Sequence, residues 1–504
     1  MHDKSYDVIV IGGGMAGAHA AYRLVELGKR VLLLDGGITR ARRAPETQLH
    51  FEHLRRSDRK QYEFFLGTQL EALKDTARAS HAAAMISGNR TYVSARTDEF
   101  LPIYARETAL LQSLAKGGLS EAWGGVCAIL NDMELRDIGI DADMHEHYQA
   151  VIDLIGVSGQ EHGFHTQPAA LISKSAKRLK VRFDALGQQR RNGFQMRQPL
   201  LALTTEAHRG RSATQYLDLD YYASADTAIY RARHTLEELE MRENFEYTPG
   251  LVVERVVDMG GQHDVFARNF AGESRVFRGK RIVLAAGAIN SNRIALVSGI
   301  QSTTTLFIKP NHIFACLDIH SLGKADESRR HSLCQLTIDR EIAGASEIFA
   351  HVYAYKSLLL WKLKEQIPLP APEALSLLAL YAPSLFLVDA RTPGTDSTCD
   401  VALSSDGTLS VQKRSSKPHA QELFALRKLL RSLGLFTMKI AHPPLGSSVH
   451  YAGGIKTSAS GEIENFPNVF VADSASWHAL PAKPLALTLM ANARRVGEAV
   501  AKSI

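Results

Sequence analysis

Asp7–Gly17, DVIVIGGGMAG, is the stretch that decides the fold of this chain. Asp7 to Ile11 form a short apolar run rich in β-branched residues, the pattern of a parallel strand buried on both faces. Gly12, Gly13, Gly14, Met15, Ala16 and Gly17 follow, then a helical pattern with Ala16, Ala20, Leu24 and Leu27 on one face. A second apolar strand, Val31 to Leu34, ends at Asp35. Each part has a physical job in holding a dinucleotide. Gly12 permits the tight turn, Gly14 lets the backbone approach a pyrophosphate, and Gly17 lets helix and strand pack closely. The helix start offers free N–H groups and a positive dipole end to the phosphates. Asp35 is placed to accept hydrogen bonds from ribose hydroxyls. A lone G-x-G-x-x-G is a weak signal; here the flanking strands, the helix and the terminal acid all agree with it.

The chain has 504 residues, too many for one compact core, so two domains or one elaborated domain are expected. A hydrophobic content of 45% and a charged content of 22% are those of a globular protein. Fifty-nine basic against 53 acidic residues leave +6, an excess too small for this length to argue for nucleic acid. The basic clusters Arg40-Ala41-Arg42-Arg43, Arg55-Arg56, Lys177-Arg178 and Arg190-Arg191 read as solvated surface, with an acidic substrate or a membrane headgroup as the alternative. Cys127, Cys316, Cys334 and Cys399 are far apart and form no C-x-x-C or metal-ligand spacing, which fits buried thiols of a reducing compartment. No basic and apolar leader precedes the first strand, so a cytoplasmic location is expected. The apolar segment Ala374–Val388 is too short to span a bilayer and carries Pro383. It reads as a buried helix followed by a strand. With Trp361 and Leu358 to Leu360 it alternatively forms a membrane-facing or substrate-entry patch.

Residues 110 to 130 hold a second glycine-rich element, KGGLSEAWGG (Lys116–Gly125). Residues 143 to 155 read as an amphipathic helix with Met144, Tyr148, Val151, Ile152 and Ile155 on one face, stopped by Gly156. The stretch from about 160 to 235 is polar and basic and has no clear periodicity. Residues 251–257, 264–270 and 281–287 read as successive strands, and Asp406-Gly407 as a hairpin turn. A last strand, Asn468 to Ala472, leads to Asp473, and a helix from about Leu485 to Ala501 closes the chain. The nucleotide domain is thus expected in separate pieces.

Several of these segments resemble the glucose-methanol-choline (GMC) family of flavin oxidoreductases. VIGGGMAGAHAAYRLVELGKRVLLLD resembles its FAD-binding unit, KGGLSEAWGG its Gly-Gly-x-Ser loop, and DMHEHYQAVIDLIGVSG the helix after that loop. RIVLAAGAINSNRIALVSGI is similar to the second family signature, and HYAGG with NVFVADSASWHALPAKPLALTLMANARR to the terminal active-site segment. The segments occur in family order and cover about a third of the chain. The resemblance implies an α/β fold: a discontinuous Rossmann-like FAD-binding domain with an inserted α+β substrate domain built on an antiparallel sheet. The expected FAD-binding parts are residues 1–158, 236–308 and 436–504, and the substrate domain is 159–235 with 309–435. It further implies that Gly12, Gly14, Met15, Ala16, Gly17, Asp35 and Gly36 hold the ADP half, with Val253 and Ala286 nearby. Gly118, Ser120, Trp123, Gly124 and Gly125 would line the flavin. Asp473 would meet its phosphate or ribityl region, and the helix opening at Leu485 would point at its pyrimidine edge, where a positive dipole end favours the negative charge of the reduced ring. No Thr-His-Trp attachment pattern is present, so noncovalent FAD is expected.

The family chemistry is oxidation of a CH–OH group: a base removes the hydroxyl proton while hydride passes to flavin N5. Histidine suits the base role, because its ordinary pKa leaves it largely neutral at neutral pH. His450, in Ser-Ser-Val-His-Tyr-Ala-Gly-Gly, falls at the family position. The family's second active-site residue, an Asn or His, falls here on Pro484, which has no side-chain donor; Lys483 and His478 are the polar candidates beside it. This departure leaves open an alternative, a lyase, isomerase or cyclase using His450 for acid/base work without net redox. No second dinucleotide motif is found, so the donor is a small or medium organic substrate. Electrons would leave to oxygen, a quinone or a carrier protein.

Overall fold

The computed structural model describes residues 6–40, 57–60, 88–217, 228–322, 324, 331–354, 370, 373, 381 and 384–504. Tyr6–Ile11 is a strand, and it pairs in parallel with Val31–Leu34 on one side and with the end of Ser274–Leu284 on the other. Phe245–Thr248 extends the parallel set beyond Val31–Leu34, and Val469–Val471 pairs in parallel with Ile282 to Leu284. Val8, Ile9 and Val10 are fully buried, which is why this strand is an uninterrupted apolar run with no polar alternation. The first half of Ser274–Leu284 turns to antiparallel pairing with His263–Asn269, which in turn pairs with Leu251–Asp258. One seven-stranded sheet is therefore assembled from the start, the middle and the end of the chain.

The helix Met15–Glu26 lies along the closing helix Ala486–Lys502. Their approach is so close that a Cβ on Gly497 would come within 2.8 Å of the Ala20 carbonyl oxygen. Arg23–Glu498 (2.9 Å) and Arg494–Glu26 (2.7 Å) tie the same pair at the surface.

A second, six-stranded sheet is antiparallel throughout. Its order is Leu435–Ala441, Asn311–Asp318, Leu385–Arg391, Ala345–Ala354, Leu336–Ile342 and Phe194–Arg197. One face packs against the helices Lys174–Asp184 and Ala420–Ser432: Phe314, Ile338, Ala350, Val352, Val388 and Ala390 join Leu179, Phe183, Leu426 and Leu429 in one core. Because side chains alternate along a strand, residues 349, 351, 353, 389 and 391 belong to the opposite face. That opposite face bears on the site below. A third sheet holds the hairpin Thr398–Leu403 and Leu409–Ser415, turning at Gly407 with φ +82° as its sequence implied.

The mixed α/β architecture is the one the family resemblance implied. The helix Lys174–Asp184 lies in the stretch that lacked clear periodicity. Its apolar face is only Ala176, Leu179 and Phe183, set among Lys174, Lys177, Arg178, Lys180 and Arg182, and Ser173 caps it by accepting from the Ala176 N–H. Leu385–Arg391 is the strand foreseen at the end of the apolar segment. The proposed helix before it, Trp361, Leu358 to Leu360, and most of the Arg40–Arg43 and Arg55-Arg56 clusters lie outside the described residues. Among the described residues no helix is long and apolar enough to cross a membrane. All four cysteines are buried, and no disulfide joins them.

Candidate active site

One continuous cavity is lined by Gly12, Gly13, Gly14, Met15, Ala16, Asp35 and Gly36 in one part and by His351, Tyr353, Arg391 and His450 in another. Between them lie the second glycine loop, Val253, Ala286, Gly287, Asp473 and the start of the closing helix at Pro484 and Leu485.

The dinucleotide part is made of backbone. Gly12 sits at φ +103°, and a Cβ there would strike the Ala285 carbonyl at 2.6 Å. A Cβ on Gly17 would be 1.8 Å from the Gly12 oxygen, so Gly17 acts by letting helix and strand touch and does not line the cavity. Gly14, Gly124 and Gly287 differ: a Cβ on any of them meets nothing within 4 Å, because each opens onto the cavity. Asp35 accepts from the Gly13 N–H and the Tyr247 hydroxyl, both at 2.9 Å. Burial pushes its carboxyl above the usual range, and those hydrogen bonds oppose the rise. Asp473 accepts from Gly287 N–H (2.8 Å), Ser291 hydroxyl (2.6 Å) and Ala475 N–H (2.8 Å). It therefore fixes the turn that opens the Ala288–Val297 helix. Asn290 Oδ1, on the same wall, is buried with no partner among the described residues. Open glycines, an acid at the end of the second strand and an unsatisfied buried acceptor fit the ADP half of FAD.

The second glycine loop meets the first directly, for a Cβ on Gly118 would lie 3.2 Å from Gly14 Cα. Ser120 lines the cavity, but its hydroxyl is committed: it donates to Gly117 (2.6 Å) and accepts from Ala232 N–H (2.9 Å). Trp123 lines it with its indole N–H held by the Tyr230 carbonyl at 2.7 Å. Gly125 corrects the sequence expectation. It faces Ala202, whose N–H its carbonyl accepts at 2.7 Å, and it stands off the cavity wall.

Of the three residues expected to handle protons, only His450 lines the cavity. Its Nδ1 meets the Ser448 carbonyl at 2.5 Å, which makes Nδ1 the protonated nitrogen. Nε2 is then the acceptor, and Arg391 donates to it at 3.3 Å. Burial, with the nearby charges of Lys309 and Arg391, holds His450 well below its ordinary pKa, so the imidazole is neutral. Val449 beside it has φ +59°, a left-handed conformation that a β-branched residue adopts only when its surroundings compel it. Lys309 supplies part of that compulsion. Its carbonyl accepts from the Ser448 hydroxyl at 2.6 Å, its N–H donates to the His450 carbonyl, and its ammonium donates to the Lys483 carbonyl at 2.7 Å. Burial pushes the Lys309 ammonium well below the usual lysine range.

Lys483 and His478 lie elsewhere. Lys483 turns away from the cavity into a cluster with Glu134 (2.9 Å), Glu341 (2.8 Å) and Asp339 (4.0 Å). Burial pushes its pKa down, but Glu134 and its neighbours outweigh burial and raise it, so the ammonium stays charged. It ties the segment before the closing helix to the substrate sheet. His478 is exposed on an outer groove with Thr303, Asp400 and Arg414, stacked over Gly139. Pro484 does line the cavity and offers no donor. What sequence reasoning missed is His351, Tyr353 and Arg391. The only signal was alternation, a polar residue between apolar ones in Ala350-His351-Val352 and an apolar one between polar ones in Asp389-Ala390-Arg391.

The sequence profile of the DAO family, FAD dependent oxidoreductase, matches residues 7–183. A comparison with curated proteins finds no match. Among solved structures, pyridoxine 4-oxidase from Mesorbium loti is similar at 16% identity with a TM-score of 0.56, covering 98% of this chain and 99% of that one. A likeness at that identity establishes a shared fold.

Proposed function

We propose that this chain is a FAD-dependent oxidoreductase that oxidises a CH–OH group of a small or medium organic molecule, with His450 as the base and FAD held without a covalent link. The observation that carries the reading is the neutral His450, its Nε2 lone pair on the wall of the cavity that begins at the dinucleotide loop. Bound FAD supplies the two-electron acceptor for the hydrogen that leaves the carbinol carbon.

The chain's own residues do the rest. Gly12 to Gly14 and Asp35 would hold the ADP half, and the Gly118–Gly124 loop with Ala286 and Leu485 would bound the ring. The Ser448 carbonyl fixes the imidazole tautomer, so that Nε2 faces the substrate hydroxyl and takes its proton. Tying of the loop by Lys309 keeps that nitrogen in place. The apolar lining, among it Leu111, Leu119, Val126 and Leu489, excludes water from the reacting carbon. Pro484 at the second family position leaves proton handling to His450. The solved structure that shares this fold is named an oxidase, which is in keeping with the reading. Anaerobic mixing with a panel of alcohols tests it: at least one should bleach the oxidised flavin band, and a panel that leaves the band untouched argues for chemistry without net redox.

A further inference from the structure

We propose that Arg391 and His351 form a subsite for an oxyanion carried by the substrate, so that this enzyme takes alcohols bearing a carboxylate or a comparable planar anion. The inference deepens the alcohol-oxidation reading of the same cavity and rests on it.

Both residues come from the cavity-facing side of the antiparallel sheet. His351 stands opposite Asp389 on the neighbouring strand, and Arg391 lies two pairs further along, opposite Phe349. Such diagonal neighbours are within reach of long side chains. His351 is 2% exposed, lines the cavity, and neither ring nitrogen has a hydrogen-bond partner among the described residues. A buried imidazole left so costs free energy unless a ligand completes it. Arg391 is 8% exposed and lines the same wall. One amino group donates to Asp389 at 3.1 Å, the other reaches His450 at 3.3 Å, and Nε has no acceptor.

The charge balance points the same way. Among the described residues Asp389 is the only carboxylate that Arg391 engages, and it already accepts from Asn311 at 3.2 Å. Lys309, fully buried nearby, is held by two carbonyl oxygens, and no carboxylate is within salt-bridge distance of it among the described residues. Among the described residues the substrate part of the cavity wall therefore carries Arg391 and no carboxylate, and a guanidinium with a free Nε–H beside an imidazole donor suits a planar oxyanion. Occupancy also acts on the base. A guanidinium drawn to the oxyanion releases His450 Nε2, the lone pair that must accept the hydroxyl proton. Alcohols without the anion leave Arg391 on the imidazole.

The test uses the purified holoenzyme and pairs of carboxylates with their amides, acetate with acetamide and benzoate with benzamide, titrated by the perturbation of the flavin spectrum. Wild type should bind at least one carboxylate about tenfold or more tighter than its amide. Arg391→Met should bring that ratio to within about twofold, Arg391→Lys should retain part of it, and His351→Phe should lower it roughly threefold. The flavin spectrum of each variant reports that the site is intact. Equal affinity for acid and amide in wild type overturns the inference, as does a preference that survives Arg391→Met. Absence of any carboxylate binding up to roughly 50 mM, a free energy weaker than a millimolar contact, overturns it as well. A carboxylate preference in a protein whose flavin no alcohol bleaches would leave the subsite standing and remove the oxidation reading.

Discussion

The two ends of the cavity are built by opposite means. The dinucleotide end is a backbone surface: Gly12, Gly14 and Gly17 act through the side chains they lack, and all lie within six consecutive residues of one turn and helix start. The substrate end is a side-chain surface. His450, Arg391 and His351 come from three separate segments and meet only through the pairing of two strands and the placing of the His450 loop against them. A backbone device needs local sequence alone. A side-chain constellation needs the whole fold to be in place before any two members touch.

The glycines offer the strongest way to break that contrast. Gly17→Val should prevent folding, because a Cβ 1.8 Å from the Gly12 oxygen forces strand and helix apart. Gly14→Val should give a folded but colourless protein, since its side chain enters open cavity. Expression, circular dichroism and the visible spectrum separate the two, and equal behaviour of both variants would sink the distinction between packing glycine and cradle glycine. At the substrate end, His450→Ala should lower the rate of flavin reduction on the order of 100-fold or more with FAD still bound. An unchanged rate would remove His450 from the mechanism.

Lys483→Met sharpens the comparison by testing a charged residue that lies near the site without lining it. It strands Glu134, whose side chain is 1% exposed, and should cost about 3 kcal/mol of stability. The denaturation midpoint should fall while the flavin-reduction rate stays within about twofold, below the usual loss for a proton-handling group. A rate loss as large as that of His450→Ala would return Lys483 to the proton-handling role.

The pH dependence should carry a smaller but specific signature. The base-competent form of His450 is the neutral one, and its pKa is held well below 6.5 by burial, Lys309 and Arg391. Flavin reduction should therefore stay level as pH falls through 6.5, with the acid limb appearing only below that. Arg391→Met removes one of the depressing charges and should move the limb upward. Stability runs with the same sign: unfolded imidazoles bind protons that buried His351 and His450 do not, so stability should fall as pH drops below about 6.5. The smallest expected effect is that of His478→Ala, within about 0.5 kcal/mol and without loss of turnover, because the side chain lies on an outer groove.

Sequence alone determined the nucleotide half: the strand, the glycine turn, the helix and Asp35 are consecutive, and their geometry follows from local backbone physics. It also singled out His450, through a motif contained in a few residues. It overreached at Gly125, Lys483 and His478, where nearness along the chain was taken for nearness in space. Tertiary structure alone decided where those residues face: Lys483 into a carboxylate cluster, His478 toward solvent, Gly125 against Ala202. It alone brought His351 and Arg391 to the cavity wall. Alternation along a strand says that a residue lies on one face or the other, but what covers each face is settled only when helices take one side of the sheet and leave the other to the site.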